Sequence, residues 1–294
     1  MRQILTNATP KAKIFYLFLM PLAGFVVLAL VLGPISAIFP EADKSLWYIH
    51  SATVLQAILV FLLPAYFVIS HTTDNPFSYL KLRKKDEWPQ KLVFGLLMFV
   101  FSYAFVAFLN QWNKGISFPD WMQPIEQWMR AMEDSALETT DALLSGKTIP
   151  KLIANLLVVA GVAAFTEEVF FRGALQQFIK EWLKNGHAAV WLSALVFSAI
   201  HFQFYGFFPR LALGAILGYI FLYTRNLWIA IFVHFINNAL VIIAMFFWGE
   251  TDWMEQMNET TITPQFLLTA LISLAATVML LRSYKLRTLK NLSK

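Results

Sequence analysis

The stretch from Leu152 to Gly173, LIANLLVVAGVAAFTEEVFFRG, decides the fold of this chain. It is apolar over roughly the 20 residues that an α-helix needs to cross a membrane. Two adjacent carboxylates, Glu167 and Glu168, interrupt the apolar run. A charge in such a segment costs several kcal/mol unless it is paired, buried in protein or hydrated, so intramembrane acids mark a functional site by default. The stretch therefore predicts a membrane-spanning helix that contains a site.

The whole chain has the composition of an integral membrane protein. Its 294 residues are 58% hydrophobic and only 14% charged, which is too apolar for a soluble domain of this length. No internal repeat or soluble domain is evident, so we predict a single membrane domain over residues 1–294. The predicted fold is all-α, a polytopic transmembrane bundle of about eight spans. The candidate spans are residues 14–39, 47–70, 92–110, 152–173, 188–204, 210–224, 227–248 and 264–282.

Lys and Arg in the short connections predict the orientation of these spans. With eight spans, the basic residues fall on one side, and the acidic connections near 120–141 and 250–259 fall on the other. We therefore predict that both termini are cytoplasmic. The formal net charge of +5 belongs to this basic rim. It indicates topology and contact with anionic membrane lipids, and not nucleic-acid binding.

The connection 111–151 is the longest in the chain, and its apolar residues recur at helical spacing behind Asp120, a candidate N-cap. We predict an extracytoplasmic amphipathic helix that lies on the outer membrane surface, with its Trp residues at headgroup depth. The alternative is a lid or a partner-binding element, because long loops are often functional. The apolar residues are Trp121, Ile125, Trp128, Met129 and Met132.

The acidic pair has an asymmetry that follows from helix geometry. Glu168 and Arg172 are four residues apart with the acid first, the favourable order for a helical ion pair. Glu167 points about 100° away around the same helix, so it cannot share that arginine equally. Glu167 is therefore the candidate general base. The structural alternative makes both acids partners in a helix-packing network.

Two later apolar segments add further polar groups, which all need partners in a bilayer. His201 lies in the segment 188–204, and His234 and Asn238 are four residues apart on one face of the segment 227–248. A histidine alone in an apolar helix is more often a packed core residue than a catalyst. Two histidines, an asparagine and two acids in three segments favour a shared cavity.

These residue types fit two chemistries. In the first, Glu167 and His201 bind and deprotonate a water, and His234 and Asn238 donate hydrogen bonds to the oxyanion that forms when the water attacks a peptide carbonyl. In the second, a zinc ion held by Glu167, His201 and His234 acidifies the water. The chain contains no cysteine and no His-Glu-x-x-His motif, which excludes thiolate sites and the one-helix zinc protease site. Spacing alone leaves both chemistries open.

Three motifs on successive hydrophobic segments resemble those of a known family: Glu167-Glu168-x-x-x-Arg172, Phe197-x-x-x-His201 and His234-x-x-x-Asn238. They are similar to the motifs of the CAAX protease and bacteriocin-processing family of intramembrane endopeptidases, also called the ABI family. The matching region runs over about residues 150–250. The resemblance implies an all-helical membrane enzyme whose cavity opens to the cytoplasm and which cleaves peptides near a membrane-embedded or lipidated end.

The resemblance also implies roles for individual residues and a location. Glu167 and His201 would activate water, and His234 with Asn238 would form the oxyanion site. Glu168 and Arg172 would complete the first motif as supporting residues. The implied location is a prokaryotic plasma membrane, and the implied partner is a membrane-associated peptide substrate. Oligomeric state and substrate sequence do not follow from the motifs.

Two other classes of function compete with the peptidase. A non-catalytic immunity or scaffold protein with the same fold would keep the helices without turnover. A proton-coupled transporter is the second competitor, because Glu and His residues in spans also serve as proton relays. A transporter of this class would contain broken helices, or a repeated half with corresponding polar sites. No such repeat is evident.

Overall fold

The structure is a computed structural model that describes residues 4–39, 41, 45–82, 88–144, 146–249 and 261–292. Of these residues 86% are helical, and none of them forms a strand. The predicted all-α membrane fold is confirmed. The acidic connection 250–259 lies outside the described residues, and the cytoplasmic location of both termini stays a prediction.

The described residues form ten helices, together with two short 3₁₀ turns at Asp120–Met122 and Phe204–Gly206. The helices are α1 (Pro10–Ile38), α2 (Leu46–Ser70), α3 (Pro76–Tyr79), α4 (Trp88–Lys114), α5 (Gln123–Leu144), α6 (Ile149–Leu183), α7 (Gly186–Ala199), α8 (Phe207–Thr224), α9 (Leu227–Trp248) and α10 (Pro264–Leu292).

Seven segments among the described residues are long and apolar enough to cross a membrane, and they include α1, α2, α4, α6, α8, α9 and most of α10. The remaining predicted span, 188–204, corresponds to α7, which is an apolar helix of 14 residues. At 1.5 Å per residue such a helix is about 21 Å long, shorter than a hydrocarbon core of about 30 Å. The chain is a multi-pass membrane protein.

The chain divides into two compact units. That residues 1–294 form a single membrane domain stays a prediction. The first unit comprises Met1–Lys84, Thr140–Ala189 and Asn226–Gly249. The second comprises Lys85–Thr139, Val190–Arg225 and Glu250–Lys294.

Aromatic side chains hold α6 in the core of the first unit. Phe170 is 2% exposed, and its ring lies 5.9 Å from that of Phe18 and 5.5 Å from that of Phe61, centroid to centroid. Helices α1 and α2 approach closely at Gly24, where a Cβ atom would meet the main chain of Leu59. The first unit thereby surrounds the helix of the two acids with packed apolar side chains.

Helices α4, α8 and α10 form the body of the second unit. The rings of Phe94 and Tyr284 stack with centroids 3.8 Å apart, and the hydroxyl of Ser273 accepts a hydrogen bond of 3.1 Å from the amide of Phe105. The close approach of α7 and α8 depends on Gly214, where a Cβ would lie 3.1 Å from the Cβ of Ala194. A larger residue there would force the two helices apart.

Helix α5 occupies the long connection 111–151. Arg130 bonds the carboxylate of Glu126 at 2.6 Å and lies 4.7 Å from the centre of the Tyr205 ring. Trp121 and Trp128 are 77% and 49% exposed. The location of this helix on the outer membrane surface stays a prediction.

Candidate active site

Glu168 is the centre of a buried polar cluster in the first unit. Its Oε1 atom accepts a hydrogen bond from Nη1 of Arg172 at 2.6 Å and another from Nδ1 of His234 at 2.9 Å. The exposed fractions of Glu168, Arg172 and His234 are 0%, 1% and 3%. The predicted ion pair between Glu168 and Arg172 is confirmed, and the contact with His234 is one that sequence spacing did not indicate.

A π-helical segment, Val169–Leu175, begins directly after Glu168 in α6, and another, Leu156–Val162, precedes the acidic pair. Such widened turns are rare and occur frequently at functional sites. They change the angular relation between residues before and after them. All residues of Val169–Leu175 are buried. Arg172, which belongs to this widened turn, therefore lies in the packed interior.

Glu167 lies on the other side of the same imidazole ring. Its Oε2 atom is 3.9 Å from Nε2 of His234, and its side chain is 17% exposed, in contrast to the fully buried Glu168. This separation is too long for a direct hydrogen bond. The two glutamates thus differ in burial and in the ring nitrogen of His234 that each one faces.

The hydrogen bond to Glu168 decides which nitrogen of His234 holds the first proton. A carboxylate oxygen only accepts, so Nδ1–H must be the donor, and neutral His234 has its lone pair on Nε2. A second proton on Nε2 makes the ring an imidazolium. The cluster of Glu167, Glu168, Arg172 and His234 is then electrically neutral, since two negative charges meet two positive ones.

Residues 80–82, which follow α3, contact both α6 and the beginning of α9, the helix of His234. The Lys81 carbonyl accepts from the Leu227 amide at 3.4 Å, and the Leu82 carbonyl accepts from Nε1 of Trp228 at 3.0 Å. Leu80 packs against the π-helical turn, because a Cβ added to Gly173 would be 2.5 Å from its Cδ2 atom. These contacts fix the register between the two helices of the cluster.

Asn238 lies one turn after His234 on α9 and is half-buried. Its Oδ1 atom accepts a hydrogen bond of 3.1 Å from Nδ2 of the neighbouring Asn237. Sequence analysis assigned no role to Asn237, because it falls on a different face of the helix. The contact joins two neighbours in the chain. The sequence feature that could have predicted it is therefore the pair of consecutive asparagines in an apolar helix.

Comparison with known proteins gives this cluster a context. Residues 149–240 match a family model described as type II CAAX prenyl endopeptidase Rce1-like. Residues 149–240 are therefore similar to this family. The resemblance predicted from the three motifs is confirmed, and all six predicted site residues lie within the matched segment.

The chain is also 31% identical over 102 residues to the uncharacterized protein YpbD of Bacillus subtilis (strain 168). The similar region covers 33% of this chain and 47% of that protein, so the match spans about half the length of the relative. No solved structure matches the chain with significant similarity.

His201, the second histidine of the three motifs, is a residue of the second unit. Helix α7 ends at Ala199, so His201 lies in the following turn and not within a span as predicted. Phe202 adopts a left-handed conformation with φ of 53°, which ends the helical path. Nδ1 of His201 bonds the Phe197 carbonyl at 2.7 Å, so the neutral ring presents Nε2 as its acceptor.

Two side chains that sequence analysis missed hold the turn after His201. The Nδ2 atom of Asn113 donates to the Phe204 carbonyl at 3.0 Å, and its Oδ1 atom accepts from the Phe208 amide at 2.9 Å. The carboxylate of Glu133 accepts from the Tyr205 amide at 3.2 Å. Asn113 is 3% exposed and comes from α4, so no local pattern could have identified it.

Proposed function

We propose that this protein is an intramembrane endopeptidase that hydrolyses a peptide bond of a membrane-associated or lipidated substrate with an activated water. One observation carries the proposal: the His234 ring lies between two adjacent glutamates of different burial, with Nδ1 bound by Glu168 and Nε2 facing Glu167 at 3.9 Å. The similarity of residues 149–240 to type II CAAX prenyl endopeptidases supports the same reaction class.

In the proposed reaction, Glu167 is the general base. Its carboxylate takes a proton from a water bound near Nε2 of His234, and the water oxygen attacks the carbonyl carbon of the scissile bond. The intermediate then collapses, the carbon–nitrogen bond breaks, and Glu167 returns the proton to the leaving amine. A partly exposed carboxylate suits this role better than the buried Glu168, because water must reach it.

His234 and Asn238 stabilise the oxyanion in this proposal. For Nε2 to donate a hydrogen bond, the ring must hold both protons, and this is the state in which the cluster is neutral. Glu168 therefore acts through His234 as a positioning residue: it orients the ring and balances the imidazolium charge. The part of His201 in water activation remains a proposal drawn from the resemblance.

A catalytic zinc ion is the alternative to metal-free water activation. Zinc enzymes use three protein ligands at such sites. The first unit offers Glu167 and His234, and within the described residues no three His, Asp or Glu side chains form a cluster suited to a metal. These residues alone do not fit zinc, and no step of the proposed reaction passes through a metal. Elemental analysis of active protein, with and without chelator treatment, decides between the two schemes.

The test of the proposed function uses purified protein in liposomes and a fluorescence-quenched peptide attached to a lipid anchor. Glu167→Gln keeps the shape of the side chain but removes the base, so we expect kcat to fall by about 100-fold or more. The matched control is Glu181→Gln on the same helix α6, where the carboxylate accepts from the Tyr79 hydroxyl at 2.7 Å and lies 3.7 Å from Lys13.

The control should keep the kcat of the unmodified protein, and both variants should insert and unfold cooperatively. Full turnover in Glu167→Gln would contradict the proposed mechanism. Absence of cleavage by the unmodified protein against a library of tethered peptides would favour a non-catalytic role. Electrogenic uptake into the same liposomes would favour transport.

A further inference from the structure

The two consecutive asparagines of α9 form a directed hydrogen bond. Nδ2 of Asn237 donates to Oδ1 of Asn238 over 3.1 Å, and both side chains are half-buried in a membrane-spanning helix. A carboxamide has one accepting end and one donating end. Because the oxygen of Asn238 is held by its neighbour, the NH₂ group is the end that points away from Asn237.

The direction of this bond matters for the chemistry proposed above. An oxyanion needs a hydrogen-bond donor, and a carboxamide turned by 180° would present an oxygen and repel it. An asparagine without a fixed orientation would divide its time between the two states. A donor that binds Oδ1 removes the unproductive state before substrate arrives, which is preorganisation in its simplest form.

We infer that Asn237 is a positioning residue that holds the side-chain oxygen of Asn238 and so presents the Asn238 NH₂ group to the substrate oxyanion. This inference rests on the proposed function, since it assigns Asn238 to the oxyanion site. It extends that function to a residue outside the three motifs. In this inference Asn237 acts through Asn238 and not on the substrate itself.

Substitutions at Asn237 that differ in hydrogen-bonding character test the inference. Asn237→Leu removes the donor at similar volume, and we expect kcat to fall by about 3- to 10-fold with KM unchanged. Asn237→Asp replaces the donor by an acceptor, which would bind the Asn238 NH₂ group and turn the amide the wrong way. We therefore expect a larger loss of kcat for Asn237→Asp. Asn237→Ser, whose hydroxyl can donate, should lose less than the leucine variant.

The same substitutions in an Asn238→Leu background separate positioning from structural effects. If Asn237 acts through Asn238, neither Asn237→Leu nor Asn237→Asp lowers kcat further in that background. An added charge or a packing defect would lower it equally in both backgrounds, and this result overturns the inference. Asn155→Leu is the control, because Asn155 is a buried amide of the first unit that bonds the Leu143 carbonyl at 2.8 Å, and its loss should affect stability but not kcat.

The outcomes distinguish this inference from the proposed function. If Asn238→Leu itself keeps full turnover, the oxyanion role of Asn238 fails, and the inference fails with it. If Asn238→Leu lowers kcat while Asn237→Leu and Asn237→Asp do not, only the inference is wrong. Thermal unfolding of each variant in detergent identifies any that do not fold, and the serine variant then replaces the leucine variant in the comparison.

Discussion

The network around Glu168 predicts a separation between the loss of stability and the loss of activity. Arg172 and Glu168 are 2.6 Å apart, which corresponds to an attraction of about 6 kcal/mol at an effective dielectric constant of about 20. Glu168→Gln would remove the carboxylate that bonds the Arg172 cation, which is 1% exposed. Removal of one partner of a buried pair costs about 3–5 kcal/mol, and we expect this decrease in the free energy of unfolding.

Two double variants separate the charge pair from the contact with His234. Glu168→Gln with Arg172→Met removes both charges, and the glutamine oxygen can still accept from Nδ1 of His234. Glu168→Met with Arg172→Met removes both charges and the acceptor. We expect each double variant to recover most of the lost unfolding free energy, because the arginine charge is removed together with the carboxylate that bonds it.

Activity should distinguish the two double variants. Only the glutamine variant keeps an acceptor that fixes the tautomer and the orientation of His234, so its kcat should exceed that of the methionine variant by about tenfold or more. Unfolding by sodium dodecyl sulfate in mixed micelles measures stability, and cleavage of the lipid-anchored peptide measures kcat. Equal kcat in the two double variants would refute the role of Glu168, and a stable Glu168→Gln single variant would refute the burial argument.

Three further predictions concern other contacts. Gly173→Ala should lower the free energy of unfolding by about 1–3 kcal/mol, because the added Cβ would be 2.5 Å from Cδ2 of Leu80. The loss should be smaller when Leu80→Ala is also present. An equal loss with and without Leu80→Ala contradicts this explanation. Asn113→Leu should cost about 1–3 kcal/mol in the same assay, since it removes the side chain that bonds both the part-buried Phe204 carbonyl and the part-buried Phe208 amide. An unchanged value contradicts the bridging role. The hydrogen bond from Arg130 lowers the pKa of Glu126, so the pair stabilises the fold above the unfolded pKa of about 4.3 and loses this effect as pH falls through the folded pKa. Arg130→Met should flatten this acid-side decrease in thermal stability, and identical pH profiles would argue against the pair.

Local geometry explains what could be predicted about the site. The pair of Glu168 and Arg172 follows from their separation of four residues on one helix, and the different environment of Glu167 follows from the 100° step between neighbours. The all-helical membrane fold follows from runs of apolar residues, because a bilayer requires every main-chain group to be bonded within its own segment. Neither inference needs any contact between distant residues.

The amino-acid sequence alone predicts the fold class, the ion pair between Glu168 and Arg172, and the residue types of the site. Tertiary structure alone decided that His234 bonds Glu168, 66 residues away, and that Asn113 bridges the turn after His201. The reason is physical: helical neighbours are set by the chain itself, whereas contacts between α6 and α9, or across the second unit, depend on how whole helices pack. The π-helical turn after Glu168 and the end of α7 at Ala199 also depend on tertiary structure. Side-chain packing decides where a helix departs from its regular path.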